Sequence, residues 1–358
     1  MKVIFIPDYS DGNPYQSDLA EGLEKLGVEI SLESGEGRFP VNDALRRYKN
    51  VDILHIHWTH RFLFSTDRFR TFVRIIKFLL ELVFVKIRGI KIVWTVHNLQ
   101  NHEKRYPRLE LLFHRILARH ADGIVVHCEK AREAVIKTYK ISRRIRDRVI
   151  VIPHGDFICN YTNEISRESA RDILGIPENE FVYLSFGSIK KYKGITELIE
   201  AFGEIETPRV RLFVVGRCRD TGLFKSIENA AKKDRRVSII ADFIADNEIQ
   251  IYMNAADVVV LPYRDILASG AAILAMSFAK PVIAPNIGCM EEQLAKNGAI
   301  FYEADSETGL INAMKNALSC DLKTMGMKNR ERVKNFDWDR ISRKLLGLYN
   351  RITGKNGS

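Results

Sequence analysis

Two α/β domains, each a parallel sheet wrapped by helices on both faces, are the fold class that the sequence predicts, and three observations predict it. The chain has 358 residues, roughly twice the size of an ordinary domain. Short apolar, β-branched runs recur with helix-length stretches between them, which is the alternation of a doubly wound sheet. That alternation stops at a polar stretch over residues 160–171 and then restarts. A domain boundary near residue 155 follows.

The first-half strands are expected at Lys2 to Ile6, Val28 to Leu32, Val51 to His57, Lys91 to Val96, Gly123 to Val126 and Val149 to Ile152. Those of the second half are expected at Phe181 to Phe186, Arg211 to Val215, Val237 to Ile240, Asp257 to Leu261, Pro281 to Ala284 and Ala299 to Phe301. The domains are therefore read as 1–155 and 156–335, with 336–358 a terminal helix packing back on the first domain. Asp337 reads as its N-cap rather than as half of an acidic metal-binding pair with Asp339. The closing GKNGS reads as a frayed tail. Phe69 to Val85 is the most apolar stretch, but Arg70, Arg74, Lys77 and Glu81 interrupt it at helical spacing, so it does not make a comfortable membrane span. It reads either as a helix packed on the sheet or as a membrane-surface helix.

Composition excludes several classes. With 46% hydrophobic and 28% charged residues, the chain is neither disordered nor collagenous. Cys128, Cys159, Cys218, Cys289 and Cys320 are scattered singly, without CxxC or metal-ligand spacing, and read as small core residues in a reducing cytosol. No signal-peptide pattern opens the chain, so a cytoplasmic location is expected. The formal net charge is +10. Residues 1–150 carry 27 Lys+Arg against 18 Asp+Glu, so the basic surface belongs to the first domain and points to a polyanionic partner. From Arg61 to Lys91 there are eight basic residues against two acidic ones, which fits peripheral contact with an anionic membrane. Nucleic acid is not expected, because no RNA- or DNA-binding module or basic-aromatic interleaving is present.

Ligands of doubly wound sheets bind at the carboxyl ends of strands, so the residues after each run matter most. In the first half His57, His97, His127 and His154 all fall there. In the second half, Gly187-Ser188-Ile189-Lys190-Lys191-Tyr192-Lys193-Gly194 leads from a strand into a helix. Its glycines allow close approach, helix-start amides face outward, and Lys190 and Lys193 supply positive charge, as a diphosphate requires. A second anion site is expected where Ser269, Gly270 and Ala271 open a small-residue helix. His55 and His57 share one strand face as metal ligands do, but no carboxylate or cysteine completes a site, so no metal is expected.

At these residues the chain resembles the GT-B glycosyltransferases, particularly the large retaining family four. The resemblance rests on the order of FGSIKKYKGITELIEAF, VVGR, IYMNAADVVVLPY, a small-residue helix, AKPVIAPNIGCMEE and FDWDRI. The first half matches more loosely, through DGNPYQ, TVHN and IPHG. The resemblance implies two Rossmann-like domains facing a central cleft. It also implies a donor diphosphate bound by Lys193 and, since Ser188 occupies the family's arginine position, by Lys190. His97 matches a strand-end histidine beside the donor sugar. Gly12, Asn13, Gly187, Ser188, Gly216 and Ile244 join the donor site, while His57, Asn98, His127 and His154 line a sugar or acceptor pocket. TVHNLQNHE is similar to glycosyltransferases of exopolysaccharide assembly, including glycolipid mannosyltransferases.

Two family glutamates are replaced, by Ile266 and Leu274, and Glu291 is the substitute for part of their sugar or ribose contacts. The implied function is transfer of a sugar from a UDP- or GDP-sugar to a glycan or lipid-linked acceptor. The implied route is retaining and metal-independent, with the nucleotide sugar as co-substrate and no cofactor. A catalytically silent nucleotide-sugar-binding protein would also explain the lost glutamates. A sugar-nucleotide epimerase shares the fold but needs acid and base groups that are scarce at these strand ends.

Overall fold

Two separate six-stranded sheets, each entirely parallel, form the frame of a computed structural model that describes residues 1–65, 67–103 and 105–355. Every predicted run is a strand, with ends displaced by no more than two residues. Met1–Gly155 forms one compact unit together with the segment from Phe336 onward, and Asp156–Asn335 forms the other. Residues 356–358 of the expected frayed tail lie outside the described residues.

Unit 1 runs β1 (Lys2–Ile6), α1 (Tyr15–Glu24), β2 (Glu29–Leu32), α2 (Pro40–Arg47), β3 (Ile53–Ile56), α3 (His60–Leu63), α4 (Arg68–Ile87), β4 (Lys91–Thr95), α5 (Pro107–His120), β5 (Gly123–Val126), α6 (Glu129–Thr138) and β6 (Val149–Val151). Its sheet order is β2-β1-β3-β4-β5-β6. Because helices cover both faces, β3 and β5 are buried at every position, whereas the edge strand β2 is not. That is why the inner strands read as unbroken apolar runs.

Unit 2 runs α7 (Arg167–Leu174), β7 (Phe181–Phe186), α8 (Ile195–Gly203), β8 (Val210–Val215), α9 (Thr221–Ala231), β9 (Val237–Ile240), α10 (Ile249–Ala255), β10 (Val258–Val260), α11 (Gly270–Ser277), β11 (Val282–Pro285), α12 (Met290–Gln293), β12 (Ala299–Tyr302), α13 (Gly309–Ala317) and α14 (Leu322–Val333). Its order, β12-β11-β10-β7-β8-β9, reverses direction between β7 and β10. Tyr183, Phe202, Leu212, Val260 and Met314 belong to the core under α8 and α13.

The closing helix α15 (Trp338–Thr353) belongs to unit 1, and the Asp337 side chain caps it by accepting from Arg340 N at 2.8 Å. Tyr349 donates or accepts at His55 Nδ1 across 2.6 Å, and Leu348 packs on Gly123. The cysteines depart from the sequence reading. Cys128 and Cys289 are buried, but Cys159 is exposed and Cys218 and Cys320 are half-buried, all three as free thiols. Helix α4 departs as well, because it is apolar on two opposite sides. Thr71, Ile75, Phe78, Leu82 and Val85 face the unit, while Phe69, Phe72, Ile76, Leu80, Val83 and Ile87 face solvent. No helix among the described residues is long and apolar enough to cross a membrane.

One ion pair fixes the strands at the reversal. Arg171 is fully buried and donates to Asp257 Oδ2 at 2.8 Å and to the carbonyls of Glu178 and Glu180, each at 2.9 Å. The same Asp257 oxygen accepts from Val182 N on β7 at 2.7 Å. Arg171→Ala is expected to leave these carbonyls without their donor, while Asp257 keeps Arg167 at 2.9 Å and the Val182 amide, and to cost about 1–3 kcal/mol, read as a lowered urea midpoint at unchanged slope.

Candidate functional site

The loop after β7 is shaped by what approaches it. A Cβ at Gly216, the residue after β8, would collide with the Gly187 carbonyl, and a Cβ at Gly194 would collide with the carbonyl oxygen of Pro262. Gly194 also has φ 67°, a left-handed conformation that glycine adopts without strain. These contacts fold residues 187–194 against the loop after β10, where Arg264 N donates to Tyr192 O at 2.9 Å and the Arg264 guanidinium pairs with Glu197. The two loops meet at the reversal of strand order, as doubly wound sheets prescribe for a ligand crevice.

Within that crevice the Lys193 ammonium lies 3.2 Å from where a Cβ of Gly187 would stand and 5.8 Å from the Tyr263 ring centroid. Burial, with a smaller contribution from the charge on Lys190, lowers its pKa to about 8. Lys190 and Ser188 are exposed at the rim. Across from them Ser269 caps α11, its Oγ accepting from Ala272 N at 3.1 Å and meeting the Tyr263 hydroxyl at 3.1 Å. The amides of Gly270 and Ala271 are left at the helix start, suited to an anion. Gln293 Oε1 accepts from Ser269 N at 3.2 Å, while its buried Nε2 has no protein partner among the described residues.

The structure therefore brings Gly187, Lys190, Lys193, Gly216, Ser269, Gly270 and Ala271 into two facing loop sets of unit 2. Glu291 is exposed on the short α12, directly after the Asn286–Gly288 loop that presses on the backbone of Ile266 and Leu267. Ile244 follows β9, half-buried in the next loop along the same sheet end. Gly12 and Asn13 are on a different footing. They lie in unit 1, where Gly12 is exposed and Asn13 Oδ1 accepts from Tyr15 N at 3.1 Å to start α1. Tyr192, Tyr263 and Gln293 were not foreseen. Tyr263 ends the apolar run DVVVLPY and reads there simply as strand.

In unit 1 the strand-end histidines form a connected row. His127 Nδ1 lies 3.0 Å from the Ile152 carbonyl, which only accepts, so this nitrogen carries the proton. His127 Nε2 is then the acceptor for His97 Nδ1 at 3.4 Å, and His97 Nε2 the acceptor for His57 Nδ1 at 3.4 Å. The row ends on His57 Nε2, buried and without a partner among the described residues. Burial, and secondarily the neighbouring histidines, hold His57 and His97 well below the usual imidazole range. Burial likewise lowers His127 to about 4 and His154 to about 3.

Aromatic rings wall this row. Trp58 stacks on His97 with centroids 4.0 Å apart, and Tyr15 packs on His97, His127 and His154 at 5.1, 5.7 and 4.8 Å. Trp338, from the closing helix, lies 5.6 Å from Tyr15. Asn98 turns to His102 instead, its Oδ1 lying 3.2 Å from His102 Nε2. His55 belongs to the core, since its two nitrogens meet Tyr349 and the Thr95 hydroxyl. Trp58 and Trp338 were missed by sequence reading, because a single aromatic beside strand or cap residues looks like core, whereas Tyr15 lies in the DGNPYQ stretch.

Fold and loops together define a glycosyltransferase of the GT-B type, and the chain belongs to that class: residues 166–335 match the family described as Glycosyl transferases group 1, and residues 15–155 match Glycosyltransferase Family 4. Over 348 residues it is 26% identical to a GDP-mannose:glycolipid 4-beta-D-mannosyltransferase of Xanthomonas campestris pv. campestris, a match spanning 96% of this chain and 90% of the relative. It is 25% identical over 254 residues to a D-inositol 3-phosphate glycosyltransferase of Kineococcus radiotolerans, covering 64% of this chain and 57% of that protein. In fold it is similar to sucrose-phosphate synthase from Thermosynechococcus elongatus, with TM-score 0.78, 19% identity and 99% of both chains covered. Anabaena HepE, solved in complex with UDP and glucose, has TM-score 0.76 at 18% identity, covering 98% of this chain and 100% of that one.

Lys193→Ala is expected to remove a charge-assisted contact worth about 1.5–3 kcal/mol, or roughly a ten- to hundredfold rise in nucleoside diphosphate Kd by calorimetry. Because only the ammonium form attracts the anion, affinity should hold steady below pH about 8 and fall as pH rises through the Lys193 pKa of about 8. The bound diphosphate moves that midpoint upward. In Lys193→Ala this alkaline limb should flatten.

Proposed function

We propose that the protein transfers mannose from GDP-mannose to a lipid-linked saccharide at the cytoplasmic face of a membrane, without a metal ion. The observation that carries this reading is the Lys193 ammonium held over the Gly187 turn, facing the α11 helix start, in a chain of the GT-B class. GDP-mannose and a glycolipid are what the relative's name specifies, and that relative aligns with nearly the whole chain.

In glycosyl transfer the leaving nucleoside diphosphate gains negative charge as the anomeric bond breaks. Groups aimed at that charge lower the barrier, and they lower it more in a crevice poor in water. Lys193, Lys190 and the Gly270 and Ala271 amides are assigned this task, and it requires no divalent cation. His97 orients the sugar, with His57, His127, His154 and Asn98 shaping its surroundings. In its present tautomer His97 donates its proton to His127, so donating to a sugar hydroxyl requires that long bond to be released.

Stereochemistry divides on the proton of the acceptor hydroxyl. Retention, implied by the family resemblance, passes that proton to the departing phosphate and needs no strong base. The histidines, neutral and engaged with one another, fit this route. Inversion is favoured by the relative's β-linked product when the GDP-sugar is α-linked, and it requires a base. Asp8, just past the end of β1 and accepting from Ser10 N and Oγ at 2.9 and 2.7 Å, is the carboxylate placed to serve.

Incubation of the protein with GDP-mannose and a lipid-linked oligosaccharide should give a mannosylated lipid by mass spectrometry, at an undiminished rate in EDTA. Proton NMR of the new anomeric centre decides between the two routes, and Asp8→Asn abolishes turnover only if the product is inverted. Donor binding without transfer across a panel of acceptors would leave a silent nucleotide-sugar-binding protein.

A further inference from the structure

We propose that the solvent-facing side of α4 docks unit 1 on the surface of an anionic lipid bilayer, with its apolar ridge entering the headgroup boundary. The ridge is a structural fact that periodicity alone did not give. Phe69, Phe72, Ile76, Leu80, Val83 and Ile87 recur at three- and four-residue steps, so they lie along one side of the helix, and Phe69, Leu80 and Ile87 are 72, 62 and 78% exposed. The opposite side, through Ile75, Phe78, Leu82 and Val85, is already buried. Packing on the sheet therefore accounts for one apolar side of α4 and leaves the second unexplained. Exposed ridges of this size mark interaction surfaces.

Charge identifies the occupant. Arg70, Arg74, Lys77 and Arg88 follow one edge of the ridge, and Arg68 and Lys86 the other. Arg74 is tied back to the Phe64 carbonyl and Lys86 to Asp122, while Lys77 lies 4.5 Å above the half-exposed Phe39 ring and so extends the apolar area beside it. A second copy of the chain packed ridge to ridge by two-fold symmetry would bring these basic edges against themselves. A bilayer offers hydrocarbon to the ridge and anionic headgroups to both edges at once. With 20 residues α4 is long enough to lie along such a surface, and it does not qualify as a span.

The full chain should sediment with vesicles of phosphatidylcholine containing one-third phosphatidylglycerol. Raising salt should weaken the partition without abolishing it, since the ridge is not screened. The triple substitution Phe69→Ser, Leu80→Ser and Ile87→Ser is expected to cut vesicle partition at least tenfold. Its melting transition and nucleoside diphosphate affinity should stay unchanged, which separates this proposal from the donor assignment. Arg70→Gln with Lys77→Gln and Arg88→Gln should reduce binding to the level seen with phosphatidylcholine alone. Failure of the wild-type chain to sediment overturns the proposal, as does a serine variant that sediments like wild type. A concentration-dependent dimer, lost in the serine variant without any vesicle binding, would instead make the ridge an interface between copies.

Discussion

The buried pairing of Arg171 with Asp257 holds the point on which unit 2 depends. Asp257 sits immediately before β10 and takes the Val182 amide of β7, so the two strands start level, with Val258 opposite Tyr183 and Val259 opposite Leu184. A one-residue slip would turn every side chain of β10 to the other face. It would also carry Pro262 away from Gly194 and Arg264 away from Tyr192. From β7 the chain winds outward through β8 and β9, then returns to lay β10 on the other flank. The loops that follow β7 and β10 consequently start on either side of the reversal and meet there, through Arg264 N and Tyr192 O at 2.9 Å and the close approach of Gly194 to the Pro262 carbonyl. Unit 1 repeats the scheme between β1 and β3, where Ile6 is level with Ile56. There the loops carry Tyr9 and Trp58, whose rings lie 5.2 Å apart.

Loss of water penalises the charged form in both sets of functional groups, with different outcomes. At Lys193 it makes the cation expensive, and a diphosphate recovers that cost by bringing compensating charge. Lowering the pKa toward neutrality thus couples charge on the lysine to the presence of an anion. Around His57, His97, His127 and His154 it removes charge altogether. Their row of neutral rings is directional because one end rests on a carbonyl that only accepts, and each proton follows from the last. Such a surface of aromatic faces and nitrogen lone pairs suits the CH faces and hydroxyls of a sugar. The excess of 27 Lys+Arg over 18 Asp+Glu in residues 1–150 is carried elsewhere, in good part along α4.

The fold was legible because buried parallel strands leave unbroken β-branched runs, and all of them were found. The loops after β7 and β10 were legible for a related reason: a glycine-lysine turn between a strand and a helix is a local pattern, and Ser269 could be named as a cap from its position alone. What stayed hidden depends on contacts distant in sequence. Trp338 joins Tyr15 and His154 across more than half the chain length, and Tyr263 meets Lys193 through the pairing of β7 with β10. The second apolar side of α4 was hidden differently. Its sequence shows that the helix is apolar nearly all round, but only packing shows which side the sheet takes. Gly12 and Asn13 were named from the resemblance alone, and they lie in the short turn that precedes α1.

The two positions where the family resemblance places glutamates carry apolar side chains, one buried and one half-buried. Leu274 is 7% exposed on α11, so a carboxylate there would need a buried partner. At Ile266 the main chain makes a close contact of its own. Gly288 comes so close that a Cβ would collide with the Ile266 and Leu267 carbonyls, and Cys289 N donates to Leu267 O at 2.8 Å. Backbone thus joins the loop after β10 to the loop after β11, and this junction sets the Ser269 cap beside Gln293. Gln293 keeps a buried Nε2 donor without a partner among the described residues, and Glu291 is exposed two residues before it. Backbone amides at the α11 start suit an anion without help from a carboxylate.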